Sequence, residues 1–341
     1  MDKYQKLGEI GRGSFGTVNR VKDKTTGRIL ACKSVIYGRM SEKEKELLVS
    51  EVNILRELDH PNIVRYVDRI LDKSKMCIYI YMEYCSGGDL ATYIKRHKMQ
   101  RSYISESVIW SVLIQLLDAL HYCHSHKPKR IMHRDIKPGN IMMNEAKRIK
   151  LGDFGLAREL GQYSLAKTNV GTPLYMSPEQ IDRRPYNDKC DIWALGCVMY
   201  ELAALVPPFE AQTQAALNLK IKSGRYNALP ETYSSELKGV ITSMLEMRQS
   251  ARPDVAKLME HPRVMAYRQK TNAPAPSPTD APKLMEARDR DMCPKCKALF
   301  AQRERDLKRR EDECARREME ISRARARLDD REKNRGLYRM K

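Results

Sequence analysis

Gly11-Arg12-Gly13-Ser14-Phe15-Gly16-Thr17-Val18 spells G-x-G-x-x-G-x-V. Glycines at that spacing let a backbone approach phosphates closely and offer N–H groups without side-chain interference. A dinucleotide-binding turn uses the same letters, but it needs a helix N-terminus under the pyrophosphate. Here Thr17 to Lys22 reads as a strand, which disfavours that alternative. Lys33 follows on the apolar run Leu30-Ala31-Cys32. Much later come His133-Arg134-Asp135-Ile136-Lys137-Pro138-Gly139-Asn140, then Asp153-Phe154-Gly155 thirteen residues past Asn140, then Ser177-Pro178-Glu179. Each string alone is weak. Together, in this order, they are not a chance arrangement.

Elements to carry these residues are legible around them. Residues 4–18 alternate polar and apolar character and end in the glycine-rich turn, while 28–36 and 76–83 read as strands. Ser41 followed by Glu44 is a capping-box signature for a helix over 41–58, with Leu47, Leu48, Ile54, Leu55 and Leu58 at helical spacing. Helical patterns then recur at 89–98, 105–126, 188–205, 213–222, 234–246 and 254–260. Residues 131–180 are loop-rich with short apolar segments, and loops that long inside a compact domain are usually functional. From Ile192 to Phe209 only Glu201 is charged, and the stretch ends in Pro207-Pro208. An isolated run of that length is expected to be a buried core helix and not a membrane span.

In order and spacing these strings resemble the eukaryotic protein kinases. Three longer runs, Leu55 to Tyr66, Tyr81 to Leu90 and Val170 to Glu179, resemble the NIMA-related (Nek) kinases, nearest the mitotic, centrosomal branch. The likeness covers about residues 4–265. It implies a two-lobed α+β fold, with an N-lobe at about 4–83 and a C-lobe at about 86–265. It implies Mg²⁺ and ATP as cofactors, and transfer of the γ-phosphoryl group to protein hydroxyls. Ile10, Gly11, Arg12, Gly13, Ser14, Phe15, Gly16, Val18, Ala31, Lys33, Met82, Glu83 and Cys85 would surround ATP. Glu51 would hold Lys33 against the α- and β-phosphates. Asp135 would take or orient the substrate proton, Lys137 would neutralise the transferring phosphoryl, and Asn140 and Asp153 would bind the metal, whose preference is for hard oxygen ligands. Lys137 and Thr172 fit Ser/Thr substrates. His133 is expected to pack in the core and Asp191 to hold the catalytic-loop backbone, while Glu179 and Arg252 form a structural ion pair. Ser164, Thr168 and Thr172 are candidate phosphorylation sites, Thr168 foremost, with Arg134 as the phosphate's partner. Gly139 replaces the more usual Ala or Glu before Asn140, and Ser177 replaces Ala before Pro178. No charged catalytic group is missing. The alternative is a pseudokinase-like scaffold acting through its C-terminal segment.

The chain has 341 residues, 42% of them hydrophobic, which is enough for a real core, and a net charge of +19. Residues 269–341 hold 21 basic and 14 acidic side chains, so the last fifth of the chain carries over a third of the excess. Pro274, Pro276, Pro278 and Pro282 mark 271–282 as a semi-extended linker. Beyond it, in 283–341, Phe300, Leu307, Cys314, Ile321 and Leu328 are spaced by seven, and Arg-Glu recurs in phase. One apolar position per heptad is half of what a strong coiled coil needs. A partner-dependent coiled coil that pairs two copies is expected, beside a single solvated helix and a DNA-contacting basic helix. Interleaved acids argue against DNA, and nucleic acid is not the expected partner. Cys293-Pro294-Lys295-Cys296 is half of a tetrahedral zinc site, which two copies would complete; free thiols are the plainer alternative. Met1 to Ile10 has no apolar core for a secretory signal, so the nine cysteines are expected to be reduced thiols. The expected location is the cytoplasm, with centrosome, spindle or basal body and nucleus as sites within the cell.

Overall fold

The computed structural model describes residues 3–271 apart from 14–15, 39, 128–129 and 154–173. Ser14, Phe15, Ser164, Thr168, Thr172, Cys293, Cys296 and the whole heptad segment therefore lie outside the described residues.

The first lobe is a five-stranded antiparallel sheet. β1 (Tyr4–Gly13), β2 (Gly16–Asp23), β3 (Ile29–Ile36), β4 (Tyr66–Asp72) and β5 (Cys77–Glu83) run in the order β1-β2-β3-β5-β4. Gly13 pairs with Gly16, so the glycine-rich segment is the tip of the β1–β2 hairpin, with a strand after it as expected. A Cβ on Gly16 would sit 1.7 Å from the Ser34 carbonyl oxygen, so only glycine permits the hairpin to lie this close to β3. β4 is an edge strand that the sequence reading missed. Its residues Tyr66, Val67, Arg69 and Leu71 do not alternate in burial, because a bulge between Tyr66 and Asp68 breaks the period of two.

One helix, α1 (Glu42–Glu57), packs on this sheet. Its capping box is closed as predicted: the Ser41 N–H donates to Glu44 Oε2 at 2.7 Å, and the Glu44 N–H donates to Ser41 Oγ at 3.3 Å. Leu48, Val52 and Leu55 of α1 are buried with Val35, Ile78 and Ile80 of the sheet. Tyr4, Val21, Leu30, Cys32 and Tyr81 form a second, smaller cluster, with Tyr4 and Tyr81 stacked at 3.8 Å.

The second lobe is helical: α2 (Leu90–Met99), α3 (Glu106–His124), α4 (Pro178–Ile181), α5 (Lys189–Ala204), α6 (Gln214–Ser223), α7 (Ser235–Met244), α8 (Val255–Met259) and α9 (Pro262–Thr271). The six helices foreseen here fall within a few residues of their expected bounds. α4 is a single turn, too short to leave a period in the sequence. α9 was missed as well. Its core contact is Val264, and Tyr267 reaches back to Ser111 of α3 at 3.2 Å. It runs through Thr271, the first residue of the expected linker. α5 is apolar on all sides because it is buried on all sides, every residue from Cys190 to Tyr200 included. Trp193 stacks on Phe209 at 5.6 Å. Among the described residues no helix is long and apolar enough to cross a membrane.

Within the second lobe, against α2 and α3, the chain makes a short hairpin, β6 (Ile141–Met143) with β7 (Ile149–Leu151), preceded by a 3-10 turn at Pro138–Asn140. This hairpin resolves the loop-rich stretch into a scaffold for Asp135 before it and Asp153 after it.

Candidate active site

Asp135 is the centre of the arrangement. Its Oδ2 accepts from Lys137 Nζ at 2.8 Å and from Asn140 Nδ2 at 2.9 Å. Asn140 Nδ2 also donates to the Asp135 carbonyl at 2.8 Å, spending its amide hydrogens on this loop and leaving its Oδ1 as an acceptor. Oδ1 of Asp135 is the oxygen left to receive a proton from an approaching hydroxyl.

Two buried groups hold this loop. Asp191, at the start of α5, accepts from the N–H groups of His133 at 2.9 Å and Arg134 at 2.8 Å, and from His124 Nε2 at 2.9 Å. Burial raises the Asp191 carboxyl, but the His124 hydrogen bond leads a set of opposing contacts that bring it below its ordinary value. His133 is fully buried; its Nε2 lies 2.9 Å from the Gly152 carbonyl and its Nδ1 accepts from the Asp135 N–H at 3.3 Å. Burial lowers the His133 pKa, so the ring is neutral with the proton on Nε2, the tautomer its partners require. This single ring ties the loop of Asp135 to the strand that delivers Asp153. Both expectations for these residues, a core histidine and an aspartate anchoring backbone, are met in the geometry.

Asp153 follows β7 and faces Lys33 of β3, whose ammonium lies 2.5 Å from its Oδ1. Burial pushes the Asp153 carboxyl up, but the Lys33 charge and hydrogen bond outweigh this and hold it below the ordinary carboxylate value. Glu51, the expected partner of Lys33, is placed on α1, and its side chain lies outside the described residues. Arg134 and Asp153 both have left-handed backbones, with φ of 66° and 54°, a strain that functional loops store. Lys33, Leu55, Val64, Ile80, Met82, Gly152 and Asp153 line one small cavity between the lobes. Ala31 is buried in β3 opposite Met82, and Gly11 pairs with Val18 across the hairpin whose strand also holds Ile10 and Arg12. Beyond Met82 stand Glu83 and Cys85; burial and then the Glu83 charge raise the Cys85 thiol to about 11, so it is neutral at physiological pH.

Among the described residues no three acidic, histidine or cysteine side chains cluster as a metal cage. One carboxylate and one amide oxygen, from Asp153 and Asn140, suit a hard cation that takes its other ligands from phosphates and water. Below the site the Arg252 guanidinium donates to both Glu179 oxygens, at 2.7 and 3.2 Å, in the predicted buried pair.

The protein kinase domain family matches residues 4–264. The chain belongs to the protein kinase family. Within it the similarity is to NIMA-related members. A probable serine/threonine-protein kinase nek2 of Dictyostelium discoideum is 53% identical over 76% of the chain and 62% of its own length. The serine/threonine-protein kinase Nek2 of Mus musculus is 43% identical over 94% of the chain and 74% of its own length. The G2-specific protein kinase nimA of Emericella nidulans is 44% identical over 78% of the chain and 42% of its own length. With the human Nek2 at 59%, the chain spans about three-fifths of the first two relatives' lengths. ATP and a divalent metal are the cofactors of this family.

Two buried residues behind the candidate site had not been singled out from sequence. His124 carries no motif, since its meaning is its distance to Asp191. Lys150 belongs to no motif either, yet it is 9% exposed and bonded to Glu83 at 2.7 Å. Only the apolar flanks Ile149 and Leu151 hinted that the strand was covered on both faces.

Proposed function

We propose that this chain is an active Ser/Thr protein kinase that uses Mg²⁺ and ATP. The observation that carries this is Asp135, whose one carboxylate oxygen is fixed by Lys137 and Asn140 while the other is left to accept. Asp135 takes the proton from the attacking hydroxyl, Lys137 neutralises charge developing on the phosphoryl oxygens, and Lys33 holds the α- and β-phosphates. Asn140 and Asp153 would hold the metal, which, when bound, supplies charge neutralisation on the phosphates. Lys137 beside Asp135 supports Ser/Thr over tyrosine substrates. The test is transfer of labelled phosphate from ATP to a peptide library. The wild-type chain transfers it and Asp135→Asn does not, while a wild-type chain silent in Mg²⁺ sinks the reading.

The names of the relatives, G2-specific among them, support a role in cell-cycle control, which the proposal places at the centrosome or in the nucleus. Thr168 phosphorylation, paired with Arg134, activates the enzyme; Thr168→Ala in a chain shown to carry phosphate there then loses activity. The heptads of 283–341 pair two copies, which raises the effective concentration for that step in trans. If Cys293 and Cys296 clasp zinc between the copies, metal analysis of the dimer finds it, and Cys293→Ser removes it.

A further inference from the structure

Lys150 is a buried cation that the chemistry above does not use. It lies on β7, with its Nζ 2.7 Å from Glu83 Oε1 and 3.4 Å from the Ile63 carbonyl. The same Glu83 oxygen accepts from the Arg65 N–H at 2.7 Å, and the Glu83 N–H donates to the Arg65 carbonyl at 2.9 Å. The stretch 62–64 is in turn bonded to β7: the Leu151 N–H donates to Asn62 at 2.8 Å and the Val64 N–H donates to Leu151 at 2.9 Å. Thus the end of β5, the approach to β4 and strand β7 meet at one ion pair.

The placement has a consequence for the site. Lys150 is on β7, three residues before Asp153, which follows the strand's end, and Glu83 directly follows Met82. Met82 and Asp153 line the same cavity. A bond from Lys150 to Glu83 therefore sets where the hinge end of β5 sits relative to the phosphate-handling end. Both charges are also close enough to act on the Cys85 thiol, two residues further along the hinge. A lysine this buried cannot be left without its partner cheaply, so the pair acts as one unit.

We infer that Lys150 is a positioning residue for the nucleotide, acting through Glu83 to hold the hinge where its backbone meets the adenine base. The inference rests on the expectation that Met82, Glu83 and Cys85 lie against ATP, at its adenine end.

The experiment uses the full chain, steady-state kinetics with ATP and peptide varied separately, and melting temperatures. Lys150→Met raises the KM for ATP about tenfold, changes kcat about twofold or less, and leaves the KM for peptide in place. Lys150→Arg, which keeps a cation in reach of Glu83, stays within about twofold of wild type. Glu83→Gln raises the KM for ATP to a similar extent. The double variant is no worse than either single, because both remove one interaction. The preference for ATP over GTP falls in the same variants. An unchanged KM for ATP in Lys150→Met, additive effects in the double variant, or equal losses in every parameter with a lowered melting temperature would overturn the inference. If Lys150→Met does not fold, the half-buried Glu83→Gln carries the same test, and an unchanged KM for ATP there overturns it. A wild-type chain that transfers no phosphate from ATP would sink the nucleotide reading instead, which separates the two failures.

Discussion

At Asp135 one carboxylate oxygen is spent on Lys137 and Asn140, which leaves the other for the proton transfer proposed above. Asp135→Asn should lower kcat about 10²- to 10⁴-fold with a small change in either KM, measured in the same peptide assay. The Glu179–Arg252 pair is a different kind of charge, buried and structural. Arg252→Ala leaves a carboxylate in the core and should cost about 3–5 kcal/mol in a denaturant titration. Its pH dependence follows from sign. Burial raises Glu179, but Arg252 brings it below its ordinary 4.5. In the wild type the pair's contribution is whole above 4.5 and is lost as the pH falls through the lowered folded value. Without Arg252, burial, the largest influence, is opposed only by hydrogen bonds from the Ser177 side chain and the Glu179 backbone, and the carboxyl moves up. The variant's deficit should then shrink as the pH drops from about 7 to 5, read as melting temperature against pH.

Elements place these residues, and two of them are held by a single local feature. The capping box at Ser41 fixes the start of α1, the helix that carries Glu51. Ser41→Ala should cost about 1 kcal/mol of stability, visible as a lower denaturation midpoint. The β1–β2 hairpin depends on Gly16 for a reason that phosphate binding alone does not give. Any Cβ there meets the Ser34 carbonyl of β3. Gly16→Ala should displace the hairpin and lower kcat/KM for ATP roughly 10- to 100-fold, the scale of a misplacement of about 1 Å. The capping box was legible because its partners are three residues apart. The Gly16–Ser34 contact was not, because it joins two strands.

At the scale of the molecule, the excess charge of +19 divides between a kinase domain and a segment of interleaved heptads. A mass measurement in solution, with and without residues 283–341, should show a dimer that reverts to a monomer on truncation. The kinase domain itself was legible to a useful depth. Strand and helix periods gave the sheet-rich and helical lobes, and motif order gave Lys33, Asp135, Asn140 and Asp153. β4 was hidden by its bulge, α4 by its brevity, and α9 by the sparse apolar pattern of a helix that buries little besides Val264.

The sequence by itself singled out the groups proposed for the chemistry, since glycines, lysines and carboxylates at set spacings form local patterns. It also determined that α5 is buried, because a helix apolar on all faces has nowhere else to go. Only the tertiary structure decided what holds those groups. His133 bridges the loops of Asp135 and Asp153, His124 supports Asp191, and Lys150 meets Glu83. Each of these contacts joins residues distant in the chain, and its strength comes from burial. Removal from water makes a charge or a ring nitrogen depend on one partner, and neither the partner nor the burial is written at the residue's own position.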